Sequence, residues 1–298
     1  MSRRGWLLFA AMAVVWGVPY LLIKVAVGQL TPPSLVFIRT AIGALVLVPV
    51  AFARGGVRPL LPHWRVVAVY TAIEIGLPWL LLSDAERKLS SSLAGLLVAT
   101  VPLIGAVLAL LTGAADRMRT RQVLGLVLGF CGVAALVGLD LTRGDLAAAG
   151  ELAVVCVCYA VGPVIISRRL AGIDSVLVVA ASLALAALAY APAGILQRPA
   201  TVPSASVIAA VAALGVVCTA LAFVLFFALI AEAGPVRATL ITYFNPAVAL
   251  LLGVLLLHEP FTVGAGLGLV LILGGSFLAT RRHTVPATAI PAPAAVQG

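Results

Sequence analysis

Long apolar stretches, each ended by a short cluster of Gly, Pro or charged residues, follow one another along almost the whole chain. Read by their breaks, they predict helices over 6–27, 35–53, 66–84, 91–112, 121–139, 146–167, 174–196, 205–231, 236–257 and 263–280. Most hold the roughly 20 residues that a helix needs to cross the hydrocarbon core of a bilayer. Backbone N–H and C=O groups have no water to bond there, so a span must be a helix or part of a closed barrel. The strict alternation of a barrel strand does not occur in this sequence. The pattern therefore predicts an all-α membrane protein with ten transmembrane helices. Beyond them, 284–298 is rich in Pro and Ala with few bulky apolar residues, and is expected to be disordered.

Composition agrees, at 63% hydrophobic and 10% charged over 298 residues, where soluble domains carry about 25% charged. The net charge of +9 is unevenly placed. With an inside N-terminus, the inner connections and both ends carry Arg3, Arg4, Arg54, Arg58, Arg65, Arg117, Arg119, Arg121, Arg168, Arg169, Arg237, Arg281 and Arg282. The outer connections carry only Arg87, Lys88, Arg143 and Arg198. This is the asymmetry of the positive-inside rule, and it predicts a multi-pass protein of a bacterial plasma membrane with both termini cytoplasmic. The basic balance then marks topology and contact with anionic membrane lipids, not a nucleic-acid partner. The first span is too long for a signal h-region and contains Lys24, so it is read as retained.

The halves read as copies. A shift of about 144 residues superposes Pro19 on Pro163, Arg54 on Arg198, Pro59 on Pro203, Ala94 on Ala238 and Pro102 on Pro246. With one residue removed after the fourth span, Asp116 falls on Glu259, Gly125 on Gly268 and Gly132 on Gly275. Five helices per copy is odd, so the second copy crosses the membrane upside down, the usual construction of a secondary transporter. The expected organisation is a first repeat over 1–140 and a second over 141–283, before the tail.

Prolines and rare polar residues point to a site. Pro19, Pro78, Pro102, Pro163 and Pro246 lack the N–H that would bond the carbonyl four residues back, freeing those of Val15, Glu74, Val98, Tyr159 and Thr242. Such helix breaks mark binding sites in transporters, and Pro102 and Pro246 are matched between repeats. Glu74 falls near the centre of the third helix, where a lone charge is costly, and is the candidate for a proton-accepting or cation-binding coupling group. Lys24 and Arg39 lie near the outer ends of their helices, suited either to snorkelling or to attracting a carboxylate. Trp16, Tyr20, Trp79, Tyr159, Tyr243 and Asn245 are candidates for a substrate-binding lining fit for a zwitterionic or amphipathic small molecule. Gly125, Gly129 and Gly132 in the fifth helix, with Gly264, Gly268 and Gly275 in the tenth, suit close helix packing or a homodimer.

Other chemistry finds little support. Cys131, Cys156, Cys158 and Cys218 all lie within spans, and residues two apart on a helix face different ways, so no metal site or disulfide framework is expected. His63, His258 and His283 are scattered, and no phosphate-binding Gly-Lys motif occurs. Neither catalysis nor a cofactor is expected.

The stretch from Leu214 to Ala279, with Gly215, Thr219, Ala222, Pro246 and Glu259, resembles the second repeat of EamA-type members of the drug/metabolite transporter superfamily. In the first half, "VVWGVPYLLIK" with Trp16, Gly17 and Lys24, and "FIRT" with Arg39, agree with it. The resemblance covers essentially 6–280. It implies ten helices, both ends inside, a central cavity lined by spans one to four and six to nine, and spans five and ten at the periphery. Two residues depart from the family pattern: His258 stands where Gly is usual, and Glu74 where a small or apolar residue is. The expected function is secondary transport, an exporter of small organic metabolites such as amino acids working by alternating access. A flippase for a lipid-linked substrate is the rival within transport. An intramembrane enzyme or a non-transporting sensor would need converging catalytic groups or a soluble output domain.

Overall fold

The computed structural model describes residues 1–56, 58–113 and 120–280. The expected tail 284–298 lies outside the described residues, as do Asp116, Arg117, Arg119, Arg281, Arg282 and His283. Among the described residues ten helices are long and apolar enough to cross a membrane: α1 (Arg3–Ala26), α2 (Pro32–Ala53), α3 (Arg58–Lys88), α4 (Ser91–Leu111), α5 (Thr120–Asp140), α6 (Arg143–Arg169), α7 (Ser175–Leu196), α8 (Ala205–Ala233), α9 (Thr239–Leu256) and α10 (Val263–Thr280). Most follow the sequence pattern within a few residues. The exception is α3, which overruns the predicted 66–84 at both ends and takes the polar run Asp84–Lys88 into the helix.

The helices pair in a symmetric way. α2 packs on α7, α4 on α9 and α5 on α10, while α1 packs on α8 and α3 on α6. Exchanging each helix for its counterpart five places on leaves the first three pairs unchanged and turns the fourth into the fifth. This is the signature of two inverted five-helix repeats. The glycine faces of α5 and α10 meet each other: a Cβ on Gly125 would come within 2.5 Å of the Ala279 backbone nitrogen, and one on Gly132 within 2.8 Å of Leu271. Only small residues allow such backbone approach. The α5–α10 pair attaches to the rest through α4 and, at Tyr243, through α9.

The prolines act at helix starts. α1 is interrupted at Trp16 and Gly17 just before Pro19, and α4 at Ala99 and Thr100 before Pro102. α9 begins as a narrow turn, Thr239–Tyr243, and becomes α-helical at Asn245 beside Pro246. α3 widens to π-helical turns over Thr71–Gly76 before Pro78. α6, by contrast, runs uninterrupted from Leu146 to Arg169 through the exposed Pro163: the missing N–H removes one helical hydrogen bond, and the others of this long span persist. α8 also widens, over Val216–Leu221, with no proline nearby.

The apolar core is not uniform. In the half of the bundle away from the N-terminus, Ile23, Leu35, Leu82, Leu97, Leu152, Leu214 and Leu250 belong to one continuous core that joins α1, α2, α3, α4, α6, α8 and α9. In the half that holds the N-terminus the core divides. Leu47, Val67, Tyr70 and Leu183 unite α2, α3 and α7 with Ala220 of α8, while Phe9, Met12, Leu229 and Ile241 form a second cluster of α1, α8 and α9, and the rings of Trp16, Phe223, Phe226 and Phe227 lie between the two. The apolar core is thus one cluster in the far half and two clusters, bridged by aromatic rings of α1 and α8, in the terminal half.

Candidate functional site

Arg39 is the centre of the polar interior. α2 starts at Thr31, whose hydroxyl accepts from the Ser34 N–H, and two prolines set the first turn, which places Arg39 two turns into the helix. The side chain is 7% exposed. Its Nε donates to Thr219 Oγ1 of α8 at 3.0 Å, and its Cζ lies 3.6 Å above the centroid of the Trp79 ring of α3. A buried guanidinium is costly unless paired, and here a hydrogen bond and a cation–π contact hold it. The terminal nitrogens make no hydrogen bond to the described residues. Thr219 belongs to one repeat and Arg39 to the other, so the side chain bridges the two.

Three further predicted residues gather around it. Trp79 adjoins the Tyr159 hydroxyl of α6, and Tyr20 of α1 lies within electrostatic reach of both Arg39 and Tyr159. Tyr20 rests against Gly95 of α4, which approaches α9 so closely that a Cβ there would meet Ala249 at 2.6 Å. Five helices therefore deliver Tyr20, Arg39, Trp79, Tyr159 and Thr219 to one region at the junction of the repeats.

The other candidates have definite partners elsewhere. Lys24 Nζ donates to the backbone carbonyls of Glu86 at 2.7 Å and Leu89 at 2.8 Å, stapling α1 to the C-terminal end of α3, where unpaired carbonyls attract a cation. Trp16 packs against Phe226 and Phe223 of α8, with ring centroids 4.7 and 6.1 Å apart, on the divided side of the bundle. Asn245, its amide turned so that nitrogen is the donor, bonds the carbonyls of Ile241 at 3.0 Å and Ala13 at 3.1 Å and so closes the break in α9. Tyr243 turns outward to α10, its hydroxyl 2.7 Å from Thr280 Oγ1. Glu74 lies on the widened part of α3, its carboxyl pressed against Gly162 of α6 and its Oε2 buried without a hydrogen-bond partner among the described residues.

Two acidic residues that sequence reasoning did not place in the site stand out. Glu86 lies beyond the predicted end of the third helix at 84, yet it is fully buried. The signal was legible: Trp79, Leu82, Ser83 and Glu86 recur at helical spacing and form the buried stripe of α3. Glu259, after α9, accepts from the Ser91 and Ser92 N–H groups at 2.7 and 2.9 Å and from both hydroxyls, which caps the N-terminus of α4 with a carboxylate. To reach it the chain turns through His258 at φ 55°, a left-handed residue that lets the Glu259 N–H bond the Gly253 carbonyl at 3.1 Å. That requirement explains why Gly is the expected residue there.

Ten spans in two inverted repeats, with a polar interior at their junction, define a multi-pass helical membrane transporter. The EamA-like transporter family matches twice, over residues 3–138 and 146–281, and the chain belongs to that family. It is similar to the uncharacterized transporter YvbV of Bacillus subtilis (strain 168), 28% identical over 91% of this chain and 90% of that protein. It is also similar to the uncharacterized transporter YoaV of the same strain, 25% identical over 91% of this chain and 94% of that protein. A solved crystal structure matches with a TM-score of 0.66 and 25% identity, covering 93% of this chain and 96% of that one.

Proposed function

We infer that this transporter moves small organic metabolites bearing a carboxylate, amino acids among them, out of the cell by alternating access. The observation that carries the reading is Arg39. Its guanidinium is fixed by Thr219 and Trp79, and its terminal nitrogens are left to meet an anionic group between the repeats. Tyr20 and Tyr159 add hydroxyls and apolar ring area beside it, a lining suited to an amphipathic molecule. The divided terminal half is the open end of the alternating cycle. With both termini cytoplasmic, as the arginine distribution favours, it faces the cytoplasm. Cysteines at positions 121 and 143 test the orientation: they should label from opposite sides of the membrane, and labelling from one side contradicts it.

The test of function is counterflow of labelled amino acids and other carboxylates into proteoliposomes, with proton and sodium gradients imposed in turn. Arg39→Gln should raise KM for the transported carboxylate roughly 30-fold or more, as expected for a charge-assisted contact worth about 2–3 kcal/mol. Unchanged kinetics in a folded Arg39→Gln protein would remove Arg39 from the site. In the same reading Glu74 is the acid whose protonation accompanies transport.

A further inference from the structure

Glu86 is an acid that this reading does not use. It is 0% exposed, and neither carboxyl oxygen has a hydrogen-bond partner among the described residues. The charged and titratable groups facing it are Tyr20 and Lys24 of α1, Arg39 of α2 and Glu259 from the connection between α9 and α10. None of them serves the carboxyl directly. Lys24 gives two of its three hydrogens to the carbonyls of Glu86 and Leu89, and the Nε of Arg39 goes to Thr219. Glu259 is occupied by Ser91 and Ser92 and adds like charge. A carboxylate sealed this way carries a desolvation cost that no hydrogen bond to its oxygens offsets, and that the nearby Lys24 and Arg39 charges offset only in part, whereas a neutral carboxylic acid carries far less.

The location gives the group a task. Its neighbours Ala85 and Leu89 belong to the single core that seals the far half, and the Lys24 staple crosses the same seam. Parting α1 from α3 there would break the staple, admit water to Glu86 and free the Lys24 ammonium to pair with it. We propose that Glu86 is a proton-binding site of the far-side gate: it holds a proton while that half is closed and gives it up to far-side water as the half opens. The reverse step takes a proton from far-side water, forms the O–H bond and closes the seam. A metal cation is disfavoured at the same place, because two cationic side chains flank a single carboxyl and the oxygens of Glu259 are already engaged. The proposal rests on the alternating-access reading, but its test needs no substrate.

The full chain is reconstituted in liposomes with Cys131, Cys156, Cys158 and Cys218 replaced by Ala, and one cysteine is placed at Leu30 in the sealed core. Its alkylation rate by a membrane-impermeant maleimide is measured across the neutral pH range, with Glu86 intact and with Glu86→Gln. The ratio of the two rates cancels the thiol's own titration. One linked proton makes the ratio climb by up to about tenfold per pH unit, and Glu74→Gln leaves that climb in place. Infrared difference spectra at neutral pH, native minus Glu86→Gln, should show a carboxylic-acid C=O band. A flat ratio, or a carboxylate band in its place, overturns the proposal. So does a Glu86→Gln chain that fails to fold, since Gln reproduces the neutral form. A protein that passes both tests yet moves no metabolite overturns the transport reading alone.

Discussion

The two widened helical stretches, Thr71–Gly76 in α3 and Val216–Leu221 in α8, begin about 145 residues apart and occupy equivalent places in the repeats. In α3 the cause is local. Pro78 cannot donate to the Glu74 carbonyl, the helix widens, and the Tyr190 hydroxyl of α7 bonds the Gly76 carbonyl at 3.1 Å. In α8 no proline follows, and the widening accompanies tertiary contacts: Gly215 lies against Ile42 of α2, and Thr219 accepts from Arg39. Wide turns of this kind concentrate at functional sites. The fourth residue of each stretch carries its distinctive polar group, an acid whose Oε2 has no hydrogen-bond partner among the described residues in α3 and a hydroxyl holding a base in α8. The repeats share a backbone device and divide the chemistry between them, so the site is asymmetric although the fold is nearly symmetric.

The comparison is broken most severely where α8 meets α2. A Cβ at Gly215 would sit 2.6 Å from Ile42 Cβ, so Gly215→Ala should cost about 1–3 kcal/mol through overpacking. It is read as a lowered unfolding midpoint in detergent, and Gly215→Ala with Ile42→Ala should recover much of the loss. An unchanged midpoint in the single variant would mean that the two helices separate easily. Thr219→Val keeps the shape but leaves the Arg39 Nε without its acceptor. About 1–2 kcal/mol of stability should be lost, together with a rise in KM, and wild-type behaviour would show that Trp79 alone holds the guanidinium.

The matching change in α3 is smaller for the fold. Glu74→Gln replaces an acid whose Oε2 has no partner, so the midpoint should move by less than about 1 kcal/mol. Transport should lose its dependence on the proton gradient; gradient dependence equal to the wild type would make Glu74 a packing residue. The smallest effect lies outside both stretches. His258→Gly relieves a left-handed residue at the end of α9 and should stabilise by about 0.5–1 kcal/mol, and a lowered midpoint would mean that the imidazole makes a contact worth more than the strain.

The sequence by itself determined the spans, the helical class, the paired halves and the breaks at Pro19, Pro78, Pro102 and Pro246, though not the continuity of the helix through Pro163, because lipid removes the alternatives for an apolar backbone and proline removes a specific N–H. It also marked Tyr20, Arg39, Trp79 and Tyr159, since polar and aromatic side chains are rare enough in spans to be noticed singly. Only the tertiary structure decided what each one meets. Lys24 and Asn245 look like ligand groups along the chain, yet each satisfies backbone carbonyls left open by a helix end or a helix break. Glu86 lies beyond the predicted end of the third helix, yet α3 continues far enough to bury it. Thr219 gains its meaning from Arg39, 180 residues away. The physical reason is common to all of them. Apolar periodicity reports which face of a helix avoids water, whereas the partner of a polar group is set by the crossing of helices distant in sequence, and that crossing is fixed by close packing at glycines such as Gly95, Gly162 and Gly215.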